Sequence, residues 1–291
     1  AVLTSTTTTA GAALPKAGGT MTGNLTVNAI VDADNFKINN AQGTDGQLLT
    51  STGSGVAWED APAGGPTFKT FGTDSIMIGD DATGTINNAN KNVGLGVNVF
   101  ESLTTGDSNV AIGFDAGKSV VSGYENTFVG LYAGLNAVNN EAIAIGSYSM
   151  YSNVGSTSGD IAIGMGSMQY KNGAAGNTIA IGTYAHRGGS TTTGRANIAI
   201  GPYAMQSITT GTYNTSVGHH ALNSITAGAG NVAMGDSTLR QNTTAHNNTA
   251  IGNIALSQNT TGTQNVAVGA NALDANTTAS YNVAIGGTSL T

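Results

Sequence analysis

Sixteen carboxylates and four histidines supply the obvious material for acid–base or metal chemistry in this 291-residue chain, which has no cysteine. Glycan cleavage by paired carboxylates needs two acids facing one cleft, about 5 to 9.5 Å apart. The candidates are Asp80 with Asp81, Glu59 with Asp60, and Asp115 with Glu141. All read as solvated turn acids, the first two pairs because adjacent residues of an extended strand point to opposite faces. His219 and His220 are likewise adjacent, and His186 and His246 stand apart from them. No His-x-His or Glu-x-x-His spacing offers a chelating face. Only a three-fold axis gathering three copies of one histidine would make a metal site. No Ser/His/Asp arrangement is legible, the Gly-rich turns carry no P-loop or dinucleotide fingerprint, and the Gly-Gly-x-Gly-x-Asp calcium repeat is absent. The expectation is no catalytic site, no metal site and no cofactor, hence not an enzyme.

Two features point to recognition instead. Two positions after a recurring glycine the chain presents Tyr132, Tyr148, Tyr184 and Tyr203, with Gly166 interrupting and His220 following. Such a row either stacks on sugar rings or forms a structural aromatic ladder. The longer units between Gly146 and Gly201 also hold His186-Arg187-Gly188-Gly189 and Thr193-Gly194-Arg195, and insertions in repeat proteins map to loops on one face that often binds. Tyr148, Tyr184, Tyr203, Arg187 and Arg195 form the candidate receptor-binding set, the guanidinium fork being matched to carboxylates or phosphates of a surface glycan. The competing reading is that these loops merely absorb insertions.

The element that must position these residues is a repeat. The pattern Asn-Val-Ala-Ile-Gly recurs at Gly79, Gly96, Gly113, Gly130, Gly146, Gly164, Gly182, Gly201, Gly218, Gly235, Gly252, Gly269 and Gly286, with spacings of 16 to 19 residues and mostly 17. Asn stands four residues earlier in most units, among them Asn214, Asn231, Asn248, Asn265 and Asn282, with Asp160 replacing it once. Stacked in register, these amides form a ladder. The next three residues alternate large, small, large, as in Val232-Ala233-Met234, the period of a strand with two different faces. The glycine permits a positive φ or a close backbone approach. Three and four residues after it a small residue and then Leu or Met recur, as in Ala221-Leu222 and Ala255-Leu256, which reads as a second short strand.

A 17-residue unit cannot bury its own apolar face, but identical coils stacked in register bury one narrow core. The fold class is therefore all-β, a parallel β-solenoid of about thirteen coils of ~17 residues, a rod of roughly 58 Å at ~4.8 Å per step. The alanine row (Ala111, Ala144, Ala162, Ala180, Ala199, Ala233, Ala250, Ala267, Ala284) is expected on the outside, packed closely against another copy of the chain, which predicts a homotrimer. Crowding of these alanines inside the coil is the other placement open.

Composition agrees. Only 9% of residues are charged and 5% aromatic, while 43 are glycine, too little bulky apolar material for a large layered core. The net charge of −7 is uneven: residues 1 to 160 carry 5 basic and 14 acidic side chains, residues 161 to 291 carry 4 and 2. The three arginines, Arg187, Arg195 and Arg240, are too dispersed for a nucleic-acid surface. No run reaches the ~18 apolar residues of a membrane span, and Ala1 to Ala10 read as no secretory signal. Residues 1–13 form a Thr/Ala-rich arm, 14–60 a segment of short strands and Gly-rich turns, 61–74 a Pro/Gly linker, and 75–291 the solenoid. The last unit stops at Thr291 without a cap, which predicts cover by another chain or removal of a distal domain.

These residues carry resemblances. The Asn-Val-Ala-Ile-Gly repeats over 75 to 291 resemble the left-handed parallel β-roll of trimeric autotransporter adhesin heads, which use shorter coils. Leu14-Pro15-Lys16-Ala17-Gly18-Gly19-Thr20-Met21-Thr22-Gly23-Asn24-Leu25-Thr26-Val27 resembles a repeat of bacteriophage tail fibres. Asn35-Phe36-Lys37-Ile38-Asn39, followed by Thr44 to Trp58, resembles fibre proteins of marine phages, especially those infecting cyanobacteria. The resemblance implies a homotrimeric fibre of a virion, extracellular when mature. It implies attachment to other tail or baseplate proteins through the N-terminal segment and to a host surface glycan or protein, without nucleic acid or membrane insertion. The alternatives are a bacterial trimeric adhesin head and, from the recurrence of Thr209, Thr226, Thr243, Thr260 and Thr277, an ice-binding solenoid.

Overall fold

The computed structural model describes residues 47–51, 56–60, 67–69, 76–79 and 89–290, except 138–139, 155–157, 173–175 and 190–191. The N-terminal arm, both tail-fibre-like stretches up to residue 46 and most of the linker lie outside the described residues. The chain divides into two units, Ala1–Gly65 and Pro66–Thr291. In the first, β1 (Gln47–Ser51) and β2 (Val56–Asp60) form an antiparallel hairpin in which Leu49 pairs with Trp58.

In the second unit, β3 (Thr67–Lys69) pairs antiparallel with β4 (Ile76–Gly79), and β4 begins a parallel stack. The stack continues through β5 (Val93–Leu95), β6 (Val110–Ile112), β7 (Thr127–Val129) and β8 (Ile143–Ile145). A side pair, β9 (Ser152–Asn153) and β11 (Tyr170–Lys171), brackets β10 (Ile161–Ile163) in sequence and forms its own two-stranded sheet. The main sheet then runs through β12 (Ile179–Ile181), β13 (Ile198–Ile200), β14 (Thr215–Val217), β15 (Val232–Met234), β16 (Thr249–Ile251), β17 (Val266–Val268) and β18 (Val283–Ile285). All the parallel pairings place equivalent repeat positions side by side, Ala250 on Ala267 and Ala267 on Ala284 for example. The result is an all-β parallel β-solenoid of about 11 turns with coils of about 17 residues.

The alternation of large and small side chains resolves against expectation. Ala111, Ala144, Ala162, Ala180, Ala199, Ala233, Ala250 and Ala267 are fully buried within one chain, and Ala284 is 2% exposed. They point into the coil, not toward another copy. The large residues on either side face outward: Leu95 and Met234 are 45% and 43% exposed. The coil bore decides this. Residues two before and four after each motif glycine share the interior, so a Leu or Met at the second leaves room for only a methyl at the first.

The exceptions follow the same rule. Phe128 takes the alanine position of its coil, and Gly134 takes the Leu/Met position; a Cβ on Gly134 would stand 2.5 Å from the Phe128 ring. In the preceding coil Gly117 yields space to Phe128 and to Phe100, each 3.0 Å from where its Cβ would lie. Gly94, at the alanine position of its own coil, yields space to Val99 and to Met77 of the preceding coil, 3.1 and 3.3 Å from where its Cβ would lie. Large and small are traded between positions and between coils, so the bore stays filled.

The second short strand expected after the glycine is a succession of turns in most coils. Residues two and four after the glycine hold left-handed φ near 50 to 60°, for example Tyr203 (58°) with Met205 (50°) and His220 (53°) with Leu222 (50°), which no pleated strand permits. Each such turn is tied to the adjacent coil, as by Tyr148 N–H to the Leu131 carbonyl (2.9 Å) and Leu222 N–H to the Thr238 carbonyl (3.0 Å). Both reasons for the motif glycine apply together. Gly113 has φ 131°, and its Cβ would lie 2.5 Å from the Gly130 carbonyl oxygen.

Candidate functional site

The corner two residues after the motif glycine carries the aromatic row. Tyr132 and Tyr148 run consecutively, with centroids 5.1 Å apart; Phe114, one residue after its glycine, meets Tyr132 edge-on at 5.6 Å, and Tyr151 leans on both tyrosines at 6.1 and 5.4 Å. Gly166 breaks the row for a steric reason: Tyr184 lies over it, and a Cβ there would come 2.5 Å from the Tyr184 ring. Beyond the break, Tyr184 meets Tyr203 at 5.8 Å, and Tyr203 stacks on His220 at 5.0 Å with 13° between the rings. Tyr203 and His220 cover each other's faces, whereas the tyrosine pairs meet at a tilt and Phe114 meets Tyr132 edge-on; His220 Nδ1 is buried.

Five residues after the glycine a polar row runs beside the aromatic one. Arg187 donates from Nε to Gln169 Oε1 (2.9 Å), and its guanidinium lies over the rings of Tyr184 (5.2 Å) and Tyr170 (5.7 Å). Asn223 donates to Gln206 Oε1 and to the Tyr203 carbonyl, and Arg240 occupies the same row one coil further. Arg240 and His219 both disfavour protonation of His220, after burial, which is the larger cause. His219 Nδ1 pairs with Asp236 at 2.8 Å, which holds the Asp236 carboxyl below its ordinary range.

Of the five residues expected to bind, Tyr184, Tyr203 and Arg187 thus come together. Tyr148 belongs to the stack on the other side of the Gly166 break. Arg195 lies six residues before its glycine, on a different corner, over the ring of Tyr213 at 5.9 Å. His220, Gln169 and Arg240 complete the corner and were not in the expected set; their shared distance from the motif glycine is the signal that finds them.

Asp115 and Glu141 do not converge. Asp115 follows Gly113 by two residues and accepts from Asn98 Nδ2 (2.8 Å), whereas Glu141 precedes Gly146 by five. The side chains of Glu59 and Asp60, and all of Asp80 and Asp81, lie outside the described residues. Among the described residues no group of three His or acidic side chains is placed to hold a metal ion, and no helix is long and apolar enough to cross a membrane. The Thr row does not present its hydroxyls uniformly outward: Thr209, Thr226 and Thr260 each donate to the next coil's carbonyl at 2.9 to 3.0 Å.

Inside the coil, the Asn row forms the amide ladder. Asn231 Oδ1 accepts from both the backbone and side-chain nitrogens of Asn248 (3.0 and 3.2 Å), while Asn231 Nδ2 donates to Asn214 Oδ1 and across the bore to the Ala245 carbonyl (3.0 and 2.9 Å). The ladder is interrupted in the three coils that lead to Gly146, Gly164 and Gly182, where Ala142, Asp160 and Thr178 replace Asn. There Lys171 turns inward, and its Nζ donates to both Asp160 oxygens (2.8 and 2.7 Å), both side chains being fully buried. Burial lowers the Lys171 pKa against the opposing pull of Asp160. His186, in the Leu/Met row, is fully buried; burial first and the Lys171 charge second push its pKa down to about 3.

Outside, the residues three and one before each glycine form two rows of Ile, Val, Leu, Met and three Thr across the thirteen parallel strands, without one charged side chain. In the earlier coils a third apolar row, Val97, Phe114, Leu131 and Met165, lies beside them, each more than 40% exposed. Fold and surfaces together define a parallel β-solenoid repeat protein with a continuous apolar sheet face and an aromatic corner. No protein-family model, curated protein or solved structure matches the chain.

Proposed function

We propose that this chain is a structural fibre protein of a virion, assembled as a homotrimer and attaching to a host surface. The observation that carries the reading is the uncharged Ile/Val/Thr face repeating once per coil along the solenoid. An apolar strip of this extent marks an association surface. Its partner must repeat with the same rise over the same length, and a second copy of this chain does so by construction. Three copies facing inward bury the strip and leave the corners outside. The tail-fibre-like stretches between Leu14 and Trp58 support placing the assembly on a virion, and the repeats alone support the second reading, a bacterial trimeric adhesin head.

Light scattering on the purified chain tests assembly: a mass of three chains is expected, and a native monomer overturns the trimer. Gold-labelled antibody on intact virions separates the two readings, label on tail appendages being expected and label confined to the bacterial surface overturning the virion assignment.

A further inference from the structure

Tyr184, Tyr203, His220, Arg187 and Arg240 occupy two adjacent rows on one corner of four successive coils, from the Gly182 coil to the Gly235 coil. We propose that this corner binds an extended acidic polysaccharide running along the solenoid axis. The inference deepens the surface-attachment reading and rests on it for its biological context, though not for its chemistry.

Three observations favour that ligand class. The first is preorganisation. Arg187 is fixed by two rings and by Gln169 through Nε, which spares most of the ordering cost when its fork binds a carboxylate. The second is charge. The corner lies in the part of the chain with net positive charge, Asp236 is engaged by His219, and Arg240 acts on His220 from the neighbouring coil. The third is spacing. One hydroxyl, amide or guanidinium is offered per coil, about every 4.8 Å, close to the advance of one sugar in an extended chain. Since Tyr203 and His220 cover each other's faces, the sugars meet an edge-on row of donors. Arg187 and Arg240 take the acidic groups. A compact anion matches one coil only, and a neutral polymer leaves the guanidinium groups unanswered.

The test titrates the full chain by biolayer interferometry with polygalacturonate, a carboxylated polysaccharide, and with dextran as the neutral comparison. Binding of polygalacturonate that weakens with salt, and little binding of dextran, is expected. Arg187→Ala with Arg240→Ala should weaken binding at least about tenfold, while Arg195→Ala, on another corner, leaves it unchanged. Because Arg187 is packed among rings, Arg240→Ala alone serves as the guard variant and should weaken binding about threefold. No binding of polygalacturonate, equal binding of dextran, or undiminished binding by Arg240→Ala and the double variant overturns the proposal. Light scattering on the same samples keeps the two readings apart: a trimer that ignores the polymer overturns this inference alone, and a monomer that binds it overturns only the assembly.

Discussion

Phe128 shows what a single side chain costs and requires in this bore. Its ring occupies the space that Gly134 and Gly117 leave empty, and both glycines are at left-handed φ (62° and 58°) in a row where Leu and Met hold the same φ elsewhere. Space, then, and not backbone strain, excludes a side chain at Gly134. Gly134→Ala should destabilise by about 1 to 3 kcal/mol through overpacking, whereas Phe128→Ala with Gly134→Leu recreates the Ala267/Leu273 pairing and should recover most of that loss. Chemical denaturation of the single and double variants measures the coupling. In the sequence Gly117 and Gly134 look like ordinary turn glycines; only their register with Phe128 across coils gives them a steric role. His186 is equally opaque, since nothing local separates it from an exposed loop histidine. Its folded pKa near 3 lies below the unfolded value of 6.5, so the unfolded chain binds a proton that the native interior refuses. The contribution of His186 is neutral above pH 6.5, and stability should fall below it by up to about 1.4 kcal/mol per pH unit until the folded pKa is reached. His186→Met, the residue found at Met168 and Met205, should flatten that slope in denaturation curves between pH 6.5 and 4.

At the scale of the element, the strand and its Asn ladder were legible in the sequence and the turn ladder was not. Asn at a fixed offset from glycine predicts stacked amides, and the alternation after it predicts a strand. The turn row alternates small and large too, but its Tyr, Met and Leu residues carry no preference for positive φ. That conformation costs of the order of 1 kcal/mol or more per residue and persists because each N–H finds the neighbouring coil's carbonyl. Asp160 was legible as a ladder substitute, accepting from the Thr178 N–H at 2.9 Å; its pairing with Lys171 was not, because an inward lysine leaves no pattern. Lys171→Met should destabilise by roughly 3 to 5 kcal/mol by stranding a buried carboxylate. Adding Asp160→Asn should restore at least half, and melting of both variants checks this. No recovery in the double variant would assign the loss to packing of the lysine stem instead.

For the whole molecule, a period of two announces two faces without saying which is inside. The narrow bore settles it in favour of alanine, and this moves the assembly argument from the methyl row to the Ile/Val rows. The two placements make opposite demands on neighbouring residues. Ile181→Lys changes only the outward face, and should give a folded monomer by circular dichroism and light scattering. Ala180→Lys puts a charge into the bore and should yield no folded protein of any size. If Ile181→Lys remains trimeric, the sheet face is not the assembly surface. The candidate binding corner was half legible: the tyrosines, His220 following them in the same row, and Arg187 stand out by type and register, whereas Gln169 and Arg240 join them only once the coils are stacked, and Arg195, close to Arg187 in sequence, is carried to another corner.

The column of motif glycines, each pressed against the carbonyl of the next, has a consequence for inheritance. Because every coil meets its neighbour through the same close contact, excising the segment from Asp236 to Gly252 rejoins Gly235 to the coil of Gly269 with the column, the amide ladder and the outward face intact. Unequal recombination between near-identical repeats therefore lengthens or shortens the structure in steps of one coil, about 4.8 Å each, without new packing having to be invented. Length in this protein is a digital quantity written in repeat number, open to selection independently of the residues at its corners.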